Sequence, residues 1–325
     1  MSYLRHVRQE LRMDLRQLRY FRVIAEEGSI SAASQILSVA QPALSLHIRN
    51  MEEHLGTKLF TRQARGVSLT EAGKVLLRRA RMVLDEVARI EDDIRNLSTS
   101  PTGDVRLGLP GTIGGILSVP LVLAVKEALP RVRLTISDAM SGFVLNWLRE
   151  GLIDIAVLYM PAQDRQFESD LLLSEELVLL APKTIALPAD VIPTTLENLP
   201  LILPSPVHGL RRLLDDWAQK HGINLKAEVE LDSYSNIKSL VERGVGCSIL
   251  PLHALTENVH DGDLQLASFK RHSLRRNVYL VRSRSGQSSH ATEAVAKLTH
   301  RVVAELVQSE TWAGARSGDQ NTKPK

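Results

Sequence analysis

Residues 29–55, SISAASQILSVAQPALSLHIRNMEEHL, constrain the chain more than any other stretch. Their apolar positions fall into two short helical patterns with a break between them. Ser29 is placed to N-cap the first helix, because its hydroxyl can accept a backbone N–H of the first turn. Ala32, Ala33 and Ile36 then share one face. Ser38, Val39 and Ala40 form the break. Gln41-Pro42 opens a second helix, where proline's missing N–H costs nothing. Leu44, Ile48, Met51 and Leu55 follow at spacings of 4, 3 and 4. The small Ala33 lets the helices cross closely, with Val39 filling the corner. This is the form of a helix-turn-helix, whose second helix enters a DNA major groove. Spacing alone fits an ordinary antiparallel helix pair equally well.

Residue identity separates these two readings. The run AASQILSVAQPALSLHIRNMEEHLGTKLF, followed by TRQARGVSLTEAG, resembles the DNA-binding domain of LysR-type transcriptional regulators. The likeness is dense over residues 14–73 and continues more weakly to His300. LPSPVHGLRR, residues 203–212, is similar to a branch related to nitrogen-assimilation regulators. The resemblance implies an N-terminal all-α winged helix-turn-helix, a long coiled-coil linker helix, and an α/β two-lobed effector domain like a periplasmic binding protein. It also implies double-stranded promoter DNA as partner, a dimer that pairs into a homotetramer, and RNA polymerase as a further contact. Gln41, Pro42 and Ser45 match the family's DNA-contacting positions and are carried over as such; glutamine can pair with an adenine edge, and serine can reach a base or phosphate. Leu46 and His47 stand where relatives often carry longer polar groups, so an altered base preference is expected. Arg49 is either a phosphate contact or a solvated surface charge.

Charge is uneven. Residues 1–70 hold ten Arg/Lys and six Asp/Glu, an excess of four, whereas the whole chain carries a net charge of +3. A basic end suits phosphate neutralisation. Residues 56–70 read as a two-stranded wing turned at Gly66, with Arg62 and Arg65 as the phosphate or groove contacts. A merely solvated basic loop would have the same composition.

A single cysteine, Cys247, excludes an internal disulfide and any cysteine-rich metal site. There is no run of 18 apolar residues, so no membrane span is expected. The basic start MSYLRHVRQELRM lacks the apolar segment of a secretory signal. The expected location is the cytoplasm.

Residues 1–12 precede the resemblance and are expected to be an extension ahead of a start at Met13, and residues 13–70 form the DNA-binding domain. From residue 71 to 97 a helix carries Leu76, Ala80, Val83, Val87, Ile90, Ile94 and Leu97 at alternating spacings of 4 and 3. Such a seam wants a partner helix, which in this family is its copy in a second subunit; the alternative is packing on the chain's own body. Residues 98–103, STSPTG, make a hinge. Strands and helices then alternate, as in a parallel sheet with right-handed crossovers. Residues 104–173 and 275–310 are assigned to a first effector lobe and 174–274 to a second. The polar residues 311–325 are expected to be disordered.

In parallel α/β lobes, ligands sit beyond the C-terminal ends of strands, where helix N-termini aim free N–H groups outward. Thr112, Ser141, Ser205 and His208 are the polar residues at such places. Together they suggest a small organic anion as effector, with no cofactor and no metal. The plainer reading is that the hydroxyls only cap their helices, and that His208 is a loop residue.

Two other function classes fit parts of the chain. Gly108, Gly111 and Gly114 after a strand prompt a nucleotide-binding enzyme, but the spacing is GxxGxxG and only Asp138 could serve a ribose. No HExxH, Walker loop, GxSxG or Cys-His pair accompanies it, so no enzyme is expected. A DNA-coating protein without sequence preference is the third, and it would have no use for a two-lobed half.

Overall fold

A computed structural model of the chain describes residues 13–63, 66–95, 101–188, 190–255, 263–284 and 288–318. The chain packs as two units, residues 1–97 and 98–325. The extension 1–12, Arg65, Leu97 and residues 98–100 of the hinge lie outside the described residues.

In the first unit, local chemistry sets each helix end. Helix α1 (Leu15–Glu27) opens on a reciprocal cap: Asp14 accepts the Gln17 N–H at 2.7 Å, and the Gln17 side chain accepts the Asp14 N–H at 3.2 Å. It stops at Gly28, whose φ of 62° favours glycine. Ser29 caps α2 (Ile30–Leu37) by accepting the Ala32 N–H, and Ser38 makes the turn with φ 53°. Helix α3 (Gln41–Leu55) has Pro42 in its first turn and ends at Gly56. Leu18, Phe21, Ile24, Ala33, Leu44, Ile48 and Met51 form the core of this unit. Two residues expected in that core are exposed instead: Ile36 and Leu55 at 59% and 40%. Both follow the apolar period of their helices but fall within the last two helical residues.

Strands β1 (Phe60–Gln63) and β2 (Gly66–Leu69) pair antiparallel, with Arg62 opposite Val67. The Val67 N–H donates to the Gly28 carbonyl at 2.8 Å, which stitches the wing to the α1–α2 corner. At Gly66, φ is 114° and a Cβ would lie 2.3 Å from that same carbonyl oxygen, so only glycine fits. Helix α4 (Glu71–Arg95) follows.

The second unit runs β3 (Gly103–Leu109), α5 (Gly111–Ala128), β4 (Val132–Asp138), α6 (Ser141–Arg149), β5 (Ile155–Leu158) and β6 (Phe167–Pro182). It continues through β7 (Leu201–Leu203), α7 (Gly209–Lys220), β8 (Ala227–Glu230), α8 (Tyr234–Glu242), β9 (Ser248–Pro251) and β10 (Leu264–Ser268). Last come β11 (Arg275–Ser283), α9 (His290–Gln308) and β12 (Arg316–Ser317). Strands β4, β3 and β5 are parallel, and β11 joins β5 to β6 antiparallel.

The sequence pattern splits what is one strand. β6 spans 16 residues, pairing with β11 from Phe167 to Glu176 and with β9 and β10 from Leu177 onward. Two cores lie on either side of that switch. One gathers Leu107, Ile113, Leu117, Leu121, Val295 and Val302; the other gathers Leu179, Ile202, Leu214, Ile237, Val241 and Ile249. Cys247 sits wholly buried in the second, and burial pushes its thiol up to about 11.

One expectation needs correction. Residues 311–318 are ordered: Trp312 is 1% exposed, and β12 pairs with β6 at Leu173 and Ser174. One indole with a buried partner outweighs a polar composition. Helix α5 has the length and apolar composition to cross a membrane, although glycines, Ser118 and Pro120 break its apolar run. Its Ile113, Leu117, Leu121 and Val125 instead cover the first core.

Candidate DNA-binding face and effector cleft

Helix α3 buries Leu44, Ile48 and Met51, so the opposite face carries Gln41, Pro42, Ser45, Leu46 and Arg49 into solvent. Its N-cap, Ala40, makes no side-chain cap bond, and its first turn has no acid. The positive end of the helix is therefore open to a phosphate. His47 is half-buried, its ring edge-on to Tyr20 at 5.2 Å, so part of this side chain serves the fold. Arg49 pairs loosely with Glu53 at 3.8 Å, both exposed. Arg62 is exposed on β1, beside a hydroxyl pair between Thr61 and Ser68 at 2.7 Å.

Glu52, on the same helix, is a structural residue that the helical pattern does not reveal. Its carboxylate accepts the Leu59 N–H at 2.9 Å and pairs with Lys58 at 2.6 Å. Burial would raise its pKa, but Lys58 and the Leu59 and Phe60 N–H groups hold it below the usual value.

Along α4 the seam divides. Ala80 is 1% exposed and Leu76 packs with it against the unit's own core, so Ala80 is not free to meet a second chain. Val83, Ile90 and Ile94 are exposed, and Val87 is half-buried.

In the second unit a cavity of about 310 Å³ opens between the two lobes. Thr112, Ser141 and His208 line it, together with Tyr159, Asp232 and Tyr234. Ser205 is not in its wall. Its N–H and hydroxyl donate to Asp232 at 2.8 and 3.0 Å, so it positions that carboxylate. The Ser205 bonds hold the Asp232 carboxyl below its usual range.

His208 is the N-cap of α7, its Nδ1 accepting the Leu210 N–H at 3.1 Å. That fixes the proton on Nε2. Burial lowers its pKa, so it faces the cleft as a neutral donor.

Behind the cleft lies a buried charge cluster that local sequence does not show. Arg276 stacks over Tyr159 at 3.5 Å from the ring centroid and reaches the Tyr234 hydroxyl at 3.4 Å. It pairs with Glu175 at 2.5 Å, with exposures of 1% and 0%. Burial pushes Glu175 up, but Arg276, His253 and Trp312 outweigh it and hold the carboxyl down to about 2. Burial alone would lower the Arg276 pKa, and Glu175 beside it raises it instead. The Tyr159 hydroxyl is raised, chiefly by burial, and lies 2.5 Å from Thr112 Oγ1. His253 spans the lobes: Nδ1 is 3.1 Å from Glu175, and Nε2 is 3.4 Å from the Thr112 carbonyl. Among the described residues no group of three His, Cys, Asp or Glu could hold a metal ion.

Asp138, the acid considered for a ribose, packs on Gly114, where a Cβ would lie 2.8 Å from its Oδ1. The proteins this chain is similar to are regulators, not enzymes. The profile "Bacterial regulatory helix-turn-helix protein, lysR family" matches residues 15–74, and "LysR substrate binding domain" matches residues 98–304. The nitrogen assimilation regulatory protein nac of Klebsiella aerogenes is 29% identical over 289 residues, covering 88% of this chain and 94% of the relative. The nac protein of Escherichia coli (strain K12) is 31% identical over 242 residues, covering 74% and 78%. A full-length OxyR variant from Pseudomonas aeruginosa shares the fold at a TM-score of 0.77, with 22% identity and coverage of 96% and 99%. With both halves matched, the chain belongs to the LysR family of transcriptional regulators, a helix-turn-helix domain followed by a substrate-binding domain.

Proposed function

We propose that this protein is a sequence-specific DNA-binding regulator controlled by a small organic anion held between the two lobes. The observation that carries it is the exposed, uncapped start of α3, with Gln41, Pro42 and Ser45 in solvent over a buried Leu44–Ile48–Met51 face. Leu46 and Arg49 extend that face, and Arg62 and Arg65 are assigned to phosphate or groove contacts. The exposed Val83, Ile90 and Ile94 support pairing of α4 with its copy, which would set two recognition helices on a near-palindromic site.

Two dimers pair into a tetramer in this scheme. Effector binding favours one relation between the dimers over the other, which changes DNA bending and the contact with RNA polymerase. The domain limits follow the same scheme, with residues 71–97 for dimerisation and a hinge at 98–103. Its place is the cytoplasm, where promoter DNA is found.

Selection of bound DNA from a random pool tests the reading. The wild type should enrich a spaced palindrome, and the Gln41→Ala, Ser45→Ala double variant should not. Equal, featureless enrichment by both would favour a sequence-blind coating protein.

A further inference from the structure

Four helices begin at the cleft, and the two lobes treat their ends differently. On the first lobe, α5 and α6 have Pro110 and Met140 as N-caps; neither makes a side-chain cap bond, and neither first turn contains an acid. On the second lobe, α7 and α8 are capped from within, by His208 Nδ1 and by the Ser233 hydroxyl. The first lobe therefore offers open N–H groups, with the Thr112 and Ser141 hydroxyls beside them.

The second lobe offers an acceptor instead. Asp232 is exposed at the cleft wall, its carboxylate oriented by Ser205. Of the nearby cations, Arg211 is engaged with Asp215 and Glu230 and Arg276 with Glu175, while Arg212 is exposed and reaches the Val207 carbonyl at 3.5 Å. A second negative charge placed here would be repelled by Asp232, with only the solvent-screened Arg212 to offset it. A hydroxyl or ammonium would donate to it, and a hydroxyl could also accept from His208 Nε2.

We propose that the effector is a carboxylate bearing a hydrogen-bond donor, hydroxyl or ammonium, at its far end, with the carboxylate on the first lobe and the donor on Asp232. The inference rests on the reading of the cleft as an anion-effector site, and it narrows that site to a dipolar ligand. Plain dicarboxylates are the class it excludes. The modest volume, at the small end of ligand sites, suits a short chain.

Titration calorimetry on the full-length protein tests this with butyrate, 4-hydroxybutyrate, 4-aminobutyrate and succinate, and with their three- and five-carbon counterparts. At the length that fits, the hydroxy or amino member should bind about tenfold tighter than the plain acid, the scale of one hydrogen bond to a charged group. The dicarboxylate should be weakest. Asp232→Asn retains the shape and an acceptor for Ser205. It should cut the donor preference to less than about threefold and strengthen the dicarboxylate, a reversal expected when the charge is removed. Asp232→Ala, with its melting curve, guards against a rearranged Ser205.

Tightest binding by a dicarboxylate, or a donor preference that survives both variants, overturns the proposal and leaves the anion cleft standing. Binding of no member at any length, by wild type or variant, overturns the proposal and the anion reading together.

Discussion

The indole N–H of Trp312 donates to Glu175 Oε2 at 3.0 Å, where β6 passes from one lobe to the other. The neighbouring backbone adds to this contact. The Gly314 carbonyl accepts from the Glu176 N–H at 3.1 Å and from Arg275 at 2.8 Å, and the Gly318 N–H donates to Leu172. The segment after α9 is thus a strap across the crossover strands, and through Glu175 it reaches Arg276 and the cleft.

Trp312→Phe keeps most of the volume and removes the N–H. It should destabilise the second unit by about 1–3 kcal/mol, the range for a buried partner left short of a hydrogen bond. Trp312→Ala should lose about 3–5 kcal/mol by adding a cavity. Urea unfolding of the full chain checks both.

Glu175→Gln leaves the Arg276 charge buried without its counter-ion. A loss of about 3–5 kcal/mol is expected. Because the Glu175 carboxyl is held down to about 2 in the folded chain, its stabilisation is fully present above the unfolded value near 4.5. It is lost as pH falls through that interval. Acid melting curves should therefore be flatter below pH 4.5 for Glu175→Gln than for wild type.

His208 adds a pH dependence of the same sign. Its folded pKa lies below the ordinary 6.5, so the unfolded chain takes up the proton first. Stability from this residue is complete above pH 6.5 and declines as pH falls. His208→Asn can still cap α7 through its side-chain oxygen, and its melting temperature should fall less between about pH 7 and about pH 5.5.

Gly66→Ala should undock the wing. A methyl group would meet the Gly28 carbonyl at 2.3 Å, and the φ of 114° is poor for any other residue. We expect a loss of more than about 1 kcal/mol in the DNA-binding unit and weaker DNA binding. Unfolding of the effector unit should be unchanged, which limited proteolysis can separate.

Ile90→Asp with Ile94→Asp should convert the assembly to smaller species in sedimentation, since both side chains are exposed at 51% and 65%. Ala80→Asp should instead unfold the first unit, because Ala80 lies in its core.

Local rules read much of this molecule. Asp14, Ser29, Gly28 and Pro42 announce helix ends through chemistry that acts within a single turn, and all lie where their types predict. Thr112 and Ser141 are found at strand ends because parallel sheets put helix starts there. Contacts between distant residues are harder to read. Glu175 and Arg276 are 101 residues apart, and each alone looks like a surface charge on a strand. Ser205 reads as a ligand group until Asp232, 27 residues on, is seen to take both its donors. His208 reads as a loop histidine until the Leu210 N–H is found on its Nδ1. Composition hides Trp312, one large apolar group among polar neighbours.

The place of β11 in its sheet has a consequence for folding order. It lies between β5 and β6, yet the chain reaches it only after completing all of residues 177–274. The second lobe is contiguous and can close as soon as it is made. The first cannot: until residues 275–283 insert, β5 and β6 each present an open edge. Its sheet depends on pairings between residues far apart in the chain, such as Asn277 with Ser174 and Arg282 with Glu168. The first lobe, begun earlier, is therefore the slower to finish, and it is the part that an interrupted or crowded refolding would lose to aggregation.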